Sequence, residues 1–191
     1  MQRGAELADL RAWRVAARHC YAISANSRAP AGSMAVILTK PPVFSLRPAR
    51  QSDYDFAARL YLDSMKRQLT TLGRWDEARV TTRFRRSFKP AQAKVIRLER
   101  ADVGWMQVSQ SAKGFHLHQL HLIERCRNRG IGTRLIQALL ARAAALDQPV
   151  ALNVVHGNPA VALYRRLGFR PISRGAEKLR MRRDATRSKN G

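Results

Sequence analysis

Hydrophobic and polar positions alternate along this chain in two different periods, and the switches between them mark out the elements. Val43 to Arg47 alternates with a period of two and predicts a strand. Ser52-Asp53-Tyr54-Asp55 resembles a capping box and predicts a helix running to about Leu69. Gly73 interrupts that pattern, and a second helix is expected from about Asp76 to Phe88. Lys94 to Arg100 and Val103 to Ser109 read as strands joined by a short hairpin turn at Ala101-Asp102. Phe115 to Ile123 is a fourth strand and Ile131 to Leu146 a helix stopped by Asp147-Gln148-Pro149. Val150 to Val155 is almost wholly apolar, as a strand buried on both faces should be. A short helix after Asn158 follows, then closing strands at Phe169 to Ser173 and Lys178 to Arg182. Strands and helices are interspersed, which is a mixed α/β order, and no internal repeat appears.

The flanks lack this patterning. Residues 1–42 are rich in Ala, Arg and Ser and reach Pro41-Pro42, so they read as a poorly ordered extension before a domain at 43–183 and a polar tail at 184–191. The extension has no apolar core of a secretory signal, although its scattered arginines are compatible with a transit peptide. Met34 is an alternative start, which would make residues 1–33 dispensable.

At 191 residues the chain suits one domain, and its charge is extreme: 36 basic against 13 acidic residues, net +23. That balance suits an anionic partner, nucleic acid included, or simply reflects drift toward arginine. The basic residues are scattered rather than blocked, and neither zinc-finger spacing nor an RNA-binding signature accompanies them. No metal-ligand pattern is read. The two cysteines, Cys20 and Cys126, form no framework and fit a reducing cytoplasm. No apolar run approaches a membrane span, so no membrane partner is expected.

Candidate chemistry concentrates after the fourth strand. Arg127-Asn128-Arg129-Gly130-Ile131-Gly132-Thr133 carries a strand through a glycine turn into a helix. The first turn of that helix has N–H groups without intrahelical partners, and its dipole favours negative charge. Glycines let a phosphate approach the backbone. A P-loop is excluded because no G-x-x-x-x-G-K-[ST] run exists, and a dinucleotide fingerprint fails at its third glycine. What remains is Arg-x-x-Gly-x-Gly. Further on, Asn158-Pro159-Ala160-Val161-Ala162-Leu163-Tyr164-Arg165-Arg166-Leu167-Gly168-Phe169 combines an N-cap, a proline at the first helical position and a glycine stop.

Together these two segments resemble the acyl-CoA pyrophosphate loop and the later Asn…Tyr…Gly-Phe segment of the GNAT superfamily of N-acyltransferases, over about residues 43–183. The resemblance implies a mixed, largely antiparallel sheet of about six or seven strands flanked by about four helices, with strands four and five parallel and splayed. It implies an acetyl-CoA-dependent N-acetyltransferase acting on a primary amine, of a small molecule or a protein, by direct transfer in a ternary complex. A non-catalytic acyl-CoA- or nucleic-acid-binding module on the same fold is the competing reading, and oligomeric state stays open, a homodimer included.

Carried onto this sequence, the resemblance gives cofactor contacts at Arg127, Asn128, Arg129, Gly130, Ile131, Gly132 and Thr133. Backbone groups of Leu122 and Ile123 would pair the pantetheine arm, Asn158 would contact it, and a bulge would leave the N–H near Leu122 for the oxyanion. Tyr164 matches the general acid toward the departing sulfur; its ordinary pKa, near 10, exceeds about 8.5 for a thiol. For the base, His116-Leu117-His118 places two imidazoles on one strand face by alternation, similar to the histidine pair of arylalkylamine N-acetyltransferases. Glu124 and Gln119 are alternatives, and His121 should point to the opposite face. The acceptor pocket is expected from Leu72 to Glu77 with Trp105; Trp75 either stacks on an acceptor or anchors two helices, and Asp76 and Glu77 either pair an ammonium or serve the helix start.

Overall fold

Two apolar faces of one sheet organise the domain, and the computed structural model describes it over residues 43–185. The expectations for residues 1–42, with Met34 and Cys20, and for the tail from residue 186 lie outside the described residues. The strands are β1 (Phe44–Pro48), β2 (Ala93–Leu98), β3 (Ala101–Ser111), β4 (Gly114–Leu122), β5 (Val150–Val155), β6 (Arg170–Arg174) and β7 (Lys178–Arg183). The helices are α1 (Tyr54–Thr71), α2 (Glu77–Ser87), α3 (Ile131–Ala145) and α4 (Ala160–Arg166). The sheet order is β1-β2-β3-β4-β5-β7-β6, antiparallel throughout except between β4 and β5. This is the expected mixed sheet with its parallel central pair.

Alternation along the strands divides the core. Met106, Leu117, Leu152 and Met181 point to one face and pack against Leu135, Ile136 and Leu139 of α3 and Tyr164 of α4. Trp105 and Val155, each next in sequence to a residue of that first core, point to the other face. There they meet Tyr61 and Leu69 of α1 and Val80 and Phe84 of α2. Helix α3 forms because Ile131, Leu135, Ile136, Leu139, Leu140 and Ala143 fall on one stripe at spacings of three to five. Helix α2 begins where Asp76 accepts the Arg79 N–H at 2.9 Å.

Local chemistry moved two predicted boundaries. The start of α1 is organised by Asp53 rather than Ser52. Its carboxylate accepts the Arg50 N–H at 2.7 Å and two bonds from the Arg47 guanidinium at 2.7 and 2.8 Å. The same guanidinium reaches Asp102 at 2.6 Å, tying the helix start to β3. The β2–β3 turn is therefore Glu99-Arg100, not Ala101-Asp102. Glu99 takes the left-handed conformation (φ 54°), while Asp102 stays inside β3 beside Arg97.

Candidate active site

The centre of the sheet opens at one end. The β4–β5 ladder covers only Phe115–Leu117 against Val150–Leu152, and beyond it the two strands diverge into a cleft. Ile123 donates its N–H to Val103 O at 2.9 Å, so Leu122, opposite Gly104, occupies a non-hydrogen-bonded position of the β3–β4 ladder. At such a position the N–H and C=O point away from the partner strand. Leu122 therefore turns both backbone groups toward the β5 side. Ile123 does not: its N–H is bound to β3 and its carbonyl accepts from Cys126 N at 3.0 Å. The expectation that Ile123 offers its backbone to a pantetheine arm is corrected by that pairing.

Gly104 sets this geometry, and sequence reasoning missed it. A Cβ there would lie 2.3 Å from His121 O and 2.7 Å from Leu122 Cδ2. Only glycine admits such an approach of β4 to β3.

The glycine turn follows a single turn of 3₁₀ helix (Glu124–Cys126). Asn128 and Gly130 both adopt positive φ, 56° and 78°, which swings the chain into α3. The first intrahelical bond found there runs from Arg134 N to Gly130 O at 3.1 Å, which leaves the N–H groups of Ile131, Gly132 and Thr133 at the free end of the helix. Ile131 is buried and anchors the turn, whereas Asn128, Arg129 and Gly130 are exposed. Gly132 faces Leu163 of α4 and Leu120 of β4 at about 4 Å, so the loop, α4 and the end of β4 meet at one place. Arg127 folds the other way. Its Nε donates to Leu122 O at 3.0 Å, and burial with the nearby Arg67 charge holds its pKa below the usual arginine value. Glu124 is exposed in the 3₁₀ turn, close enough to Arg127 to oppose that shift.

Asn158 caps α4: its Oδ1 accepts the Ala160 N–H at 2.8 Å, and its carbonyl accepts from Val161. Tyr164 is 9% exposed, packs edge-on against Phe169, and burial pushes its phenol up to about 12. Cys126 is buried in the same core.

The histidines lie on the other face of the sheet. His116 and His118 have ring centroids 4.5 Å apart. His118 Nε2 shares a hydrogen bond of 2.7 Å with Ser109 Oγ, and His116 Nε2 one of 3.4 Å with Asn153 Nδ2. Both imidazoles titrate below their ordinary value. His116 falls to about 4 through burial, then the neighbouring His118 and Arg180; His118 falls through burial. The ordinary value near 6.5 assumed from sequence does not hold.

Strict alternation along β4 also fails. Gln107 pairs Gln119 while Val108 pairs Leu117, so His118 is an extra residue in β4. That bulge brings His121 onto the face shared by His116 and His118, contrary to the parity reading. There it stacks on Trp105 (5.4 Å), meets Tyr61 edge-on, and shares a hydrogen bond with Gln119. Burial, then Arg127, lowers its pKa to about 3. Trp105, 1% exposed, is core rather than pocket wall. Trp75 packs beside the same core with Lys66 Nζ 6.0 Å from its ring, and Asp76 is engaged as the α2 cap. Asn153 and Ser109 are further residues that sequence reasoning passed over. Asn153 left a signal as the one polar residue in an apolar strand.

The sheet thus splits at its parallel pair, with a helix N-terminus and a strand-edge backbone beside the split. Residues 91–171 match the family of the acetyltransferase (GNAT) domain. Among solved structures, it is similar to the PaiA N-acetyltransferase of Thermoplasma acidophilum in complex with coenzyme A. That similarity is 14% identity over 74% of this chain and 99% of the other, with a TM-score of 0.61. An acetyltransferase from Thermus thermophilus shares 23% identity over 75% and 98% of the two chains (TM-score 0.56). Ard1 from Thermoplasma volcanium shares 18% over 75% and 98% (TM-score 0.55). No curated protein matches the chain. Among the described residues, no helix is long and apolar enough to cross a membrane.

Proposed function

We propose that this protein transfers an acetyl group from acetyl-CoA to a primary amine, directly and without an acyl-enzyme. The observation that carries the reading is the Leu122 backbone N–H turned into the β4–β5 split beside the free N-terminus of α3. Residues present fit the donor. Gly130 has nothing within 4 Å of its Cβ position, and the N–H groups of Ile131, Gly132 and Thr133 with Arg129 suit a pyrophosphate. Asn158 suits an amide group of the arm. The thioester supplies an activated acyl carbon.

In this scheme the amine nitrogen attacks that carbon, the C–N bond forms and the C–S bond breaks. The Leu122 N–H faces the developing oxyanion. The amine's proton passes to the His116–His118 pair, which is neutral at physiological pH and so able to accept it. Its lowered basicity suits a relay to solvent better than a proton store. Tyr164 stays protonated and donates to the departing sulfur. Glu124, exposed on the far side of the turn, is the less favoured base.

Calorimetric titration with acetyl-CoA, against ATP and desulfo-CoA, tests the first step. Specific acetyl-CoA binding followed by turnover of an amine is expected. Absence of binding would leave the non-catalytic nucleic-acid-binding module as the reading.

A further inference from the structure

One open side of α2 presents Ala78, Arg79, Thr82, Arg83, Arg86 and Ser87. Arg79 and Arg83 reach across to one carboxylate, Glu177, at 2.9 and 3.3 Å, which joins α2 to the segment leading into β7. On β7, Lys178 pairs Val155 and Arg180 pairs Asn153, the partner of His116. Lys178 and Arg180 therefore share the face that carries the imidazoles. Their fields connect the two places: burial and then Arg83 lower the Lys178 pKa, and Arg180 contributes to lowering that of His116.

Five cations thus stand on these neighbouring elements: Arg79, Arg83 and Arg86 on α2, and Lys178 and Arg180 on β7. Two carboxylates oppose them. Glu177 is shared between two arginines, and Asp76 is already the cap of α2, 3.9 Å from Arg79. Arg86 and Arg180 are exposed and have no carboxylate partner among the described residues. Such a cationic surface repels ammonium-rich chains and concentrates anions. A guanidinium presents a planar fork that matches carboxylate and phosphate oxygens.

We infer that the acceptor is an anionic amine, a primary amine bearing a carboxylate or phosphate that Arg86 and Arg180 hold while the amine reaches the histidine pair. The amine end rests on the acetyl-transfer reading; the anion end does not, so binding and turnover test them separately. Three matched pairs serve as probes: glucosamine and glucosamine 6-phosphate, ethanolamine and phosphoethanolamine, phenethylamine and phenylalanine. Calorimetry with the full chain at low salt should show at least a tenfold tighter Kd for the anionic member of one pair or more. The double variant Arg86→Gln/Arg180→Gln should abolish most of that preference while keeping the wild-type Kd for acetyl-CoA and the wild-type melting temperature. Raising salt to about 0.5 M should shrink the preference in the wild type. Equal affinity within all three pairs, or a preference that survives in the double variant, overturns the inference even if acetyl transfer is confirmed. A preserved anion preference without turnover of any amine upholds the anion site and instead removes the catalytic reading.

Discussion

Gly104→Ala is the sharpest probe of how β3 holds the open edge of β4. The added methyl would start 2.3 Å from His121 O. A carbon and a carbonyl oxygen settle at roughly 3.3 Å or more, so one backbone must retreat by about 1 Å. The obstacle is main chain, not a flexible side-chain tip, and Leu122 Cδ2 at 2.7 Å closes the other escape. Overpacking of this kind costs about 1–3 kcal/mol. In a domain of this size that lowers Tm by about 4–8 °C for a mid-range cost of about 2 kcal/mol. The same displacement moves the Leu122 N–H, and misplacing a positioned group by about 1 Å costs on the order of 100-fold in rate. Thermal unfolding followed by circular dichroism reads the first effect, and steady-state acetyl transfer the second. A variant with wild-type Tm and kcat/KM would refute the argument, because the sheet would then be absorbing the methyl without moving the candidate oxyanion donor.

Further substitutions and titrations follow from the same geometry. Gly132→Ala should be neutral or raise stability by up to about 1 kcal/mol, since its Cβ meets only side-chain carbons at 3.9–4.0 Å, whereas Gly130→Ala should cost about 1 kcal/mol at φ 78°; equal melting temperatures would contradict this. Tyr164→Phe should lower kcat with little change in acetyl-CoA affinity, and because the phenol titrates near 12 the wild-type pH–rate profile should show no Tyr164 limb below about pH 10; unchanged kcat would remove the acid role. His121 has a folded pKa near 3, below its unfolded value near 6.5, so the unfolded chain binds the extra proton in that window and stability falls as pH drops from 6.5 toward 3. Its share of the slope is at most about 1.4 kcal/mol per pH unit, and urea melts of His121→Gln across pH 4–7 should show a shallower dependence than wild type.

Sequence carried the fold where the determining forces are local. The bounds of β5 follow from six residues between Pro149 and a glycine turn, and α4 from its Asn158-Pro159 start and Gly168 stop. The glycine turn into α3 is local too, since Gly130 needs a left-handed conformation whatever surrounds it. The misreadings share a different cause. Asp102 left the predicted turn because Arg47, on another strand, binds it. Trp105 is core because α1 and α2 fold over it. Arg127 bends back to a carbonyl five residues earlier, and the histidine titrations depend on burial and on Arg180 from β7. Apart from that five-residue contact of Arg127, these partners lie outside the reading window of a sequence pattern.

The extra residue at His118 has a consequence for anyone who would align or transplant this strand. Ahead of it, odd-numbered positions such as Phe115 and Leu117 belong to the α3 core; after it, Leu120 and Leu122 do. The strand thus carries two reading frames. A gap misplaced by one residue would swap the positions facing α3 for those facing the opposite side of the sheet without changing any letter. A graft must therefore count inward from both ends, the histidines from Gly114 and the loop from Leu122.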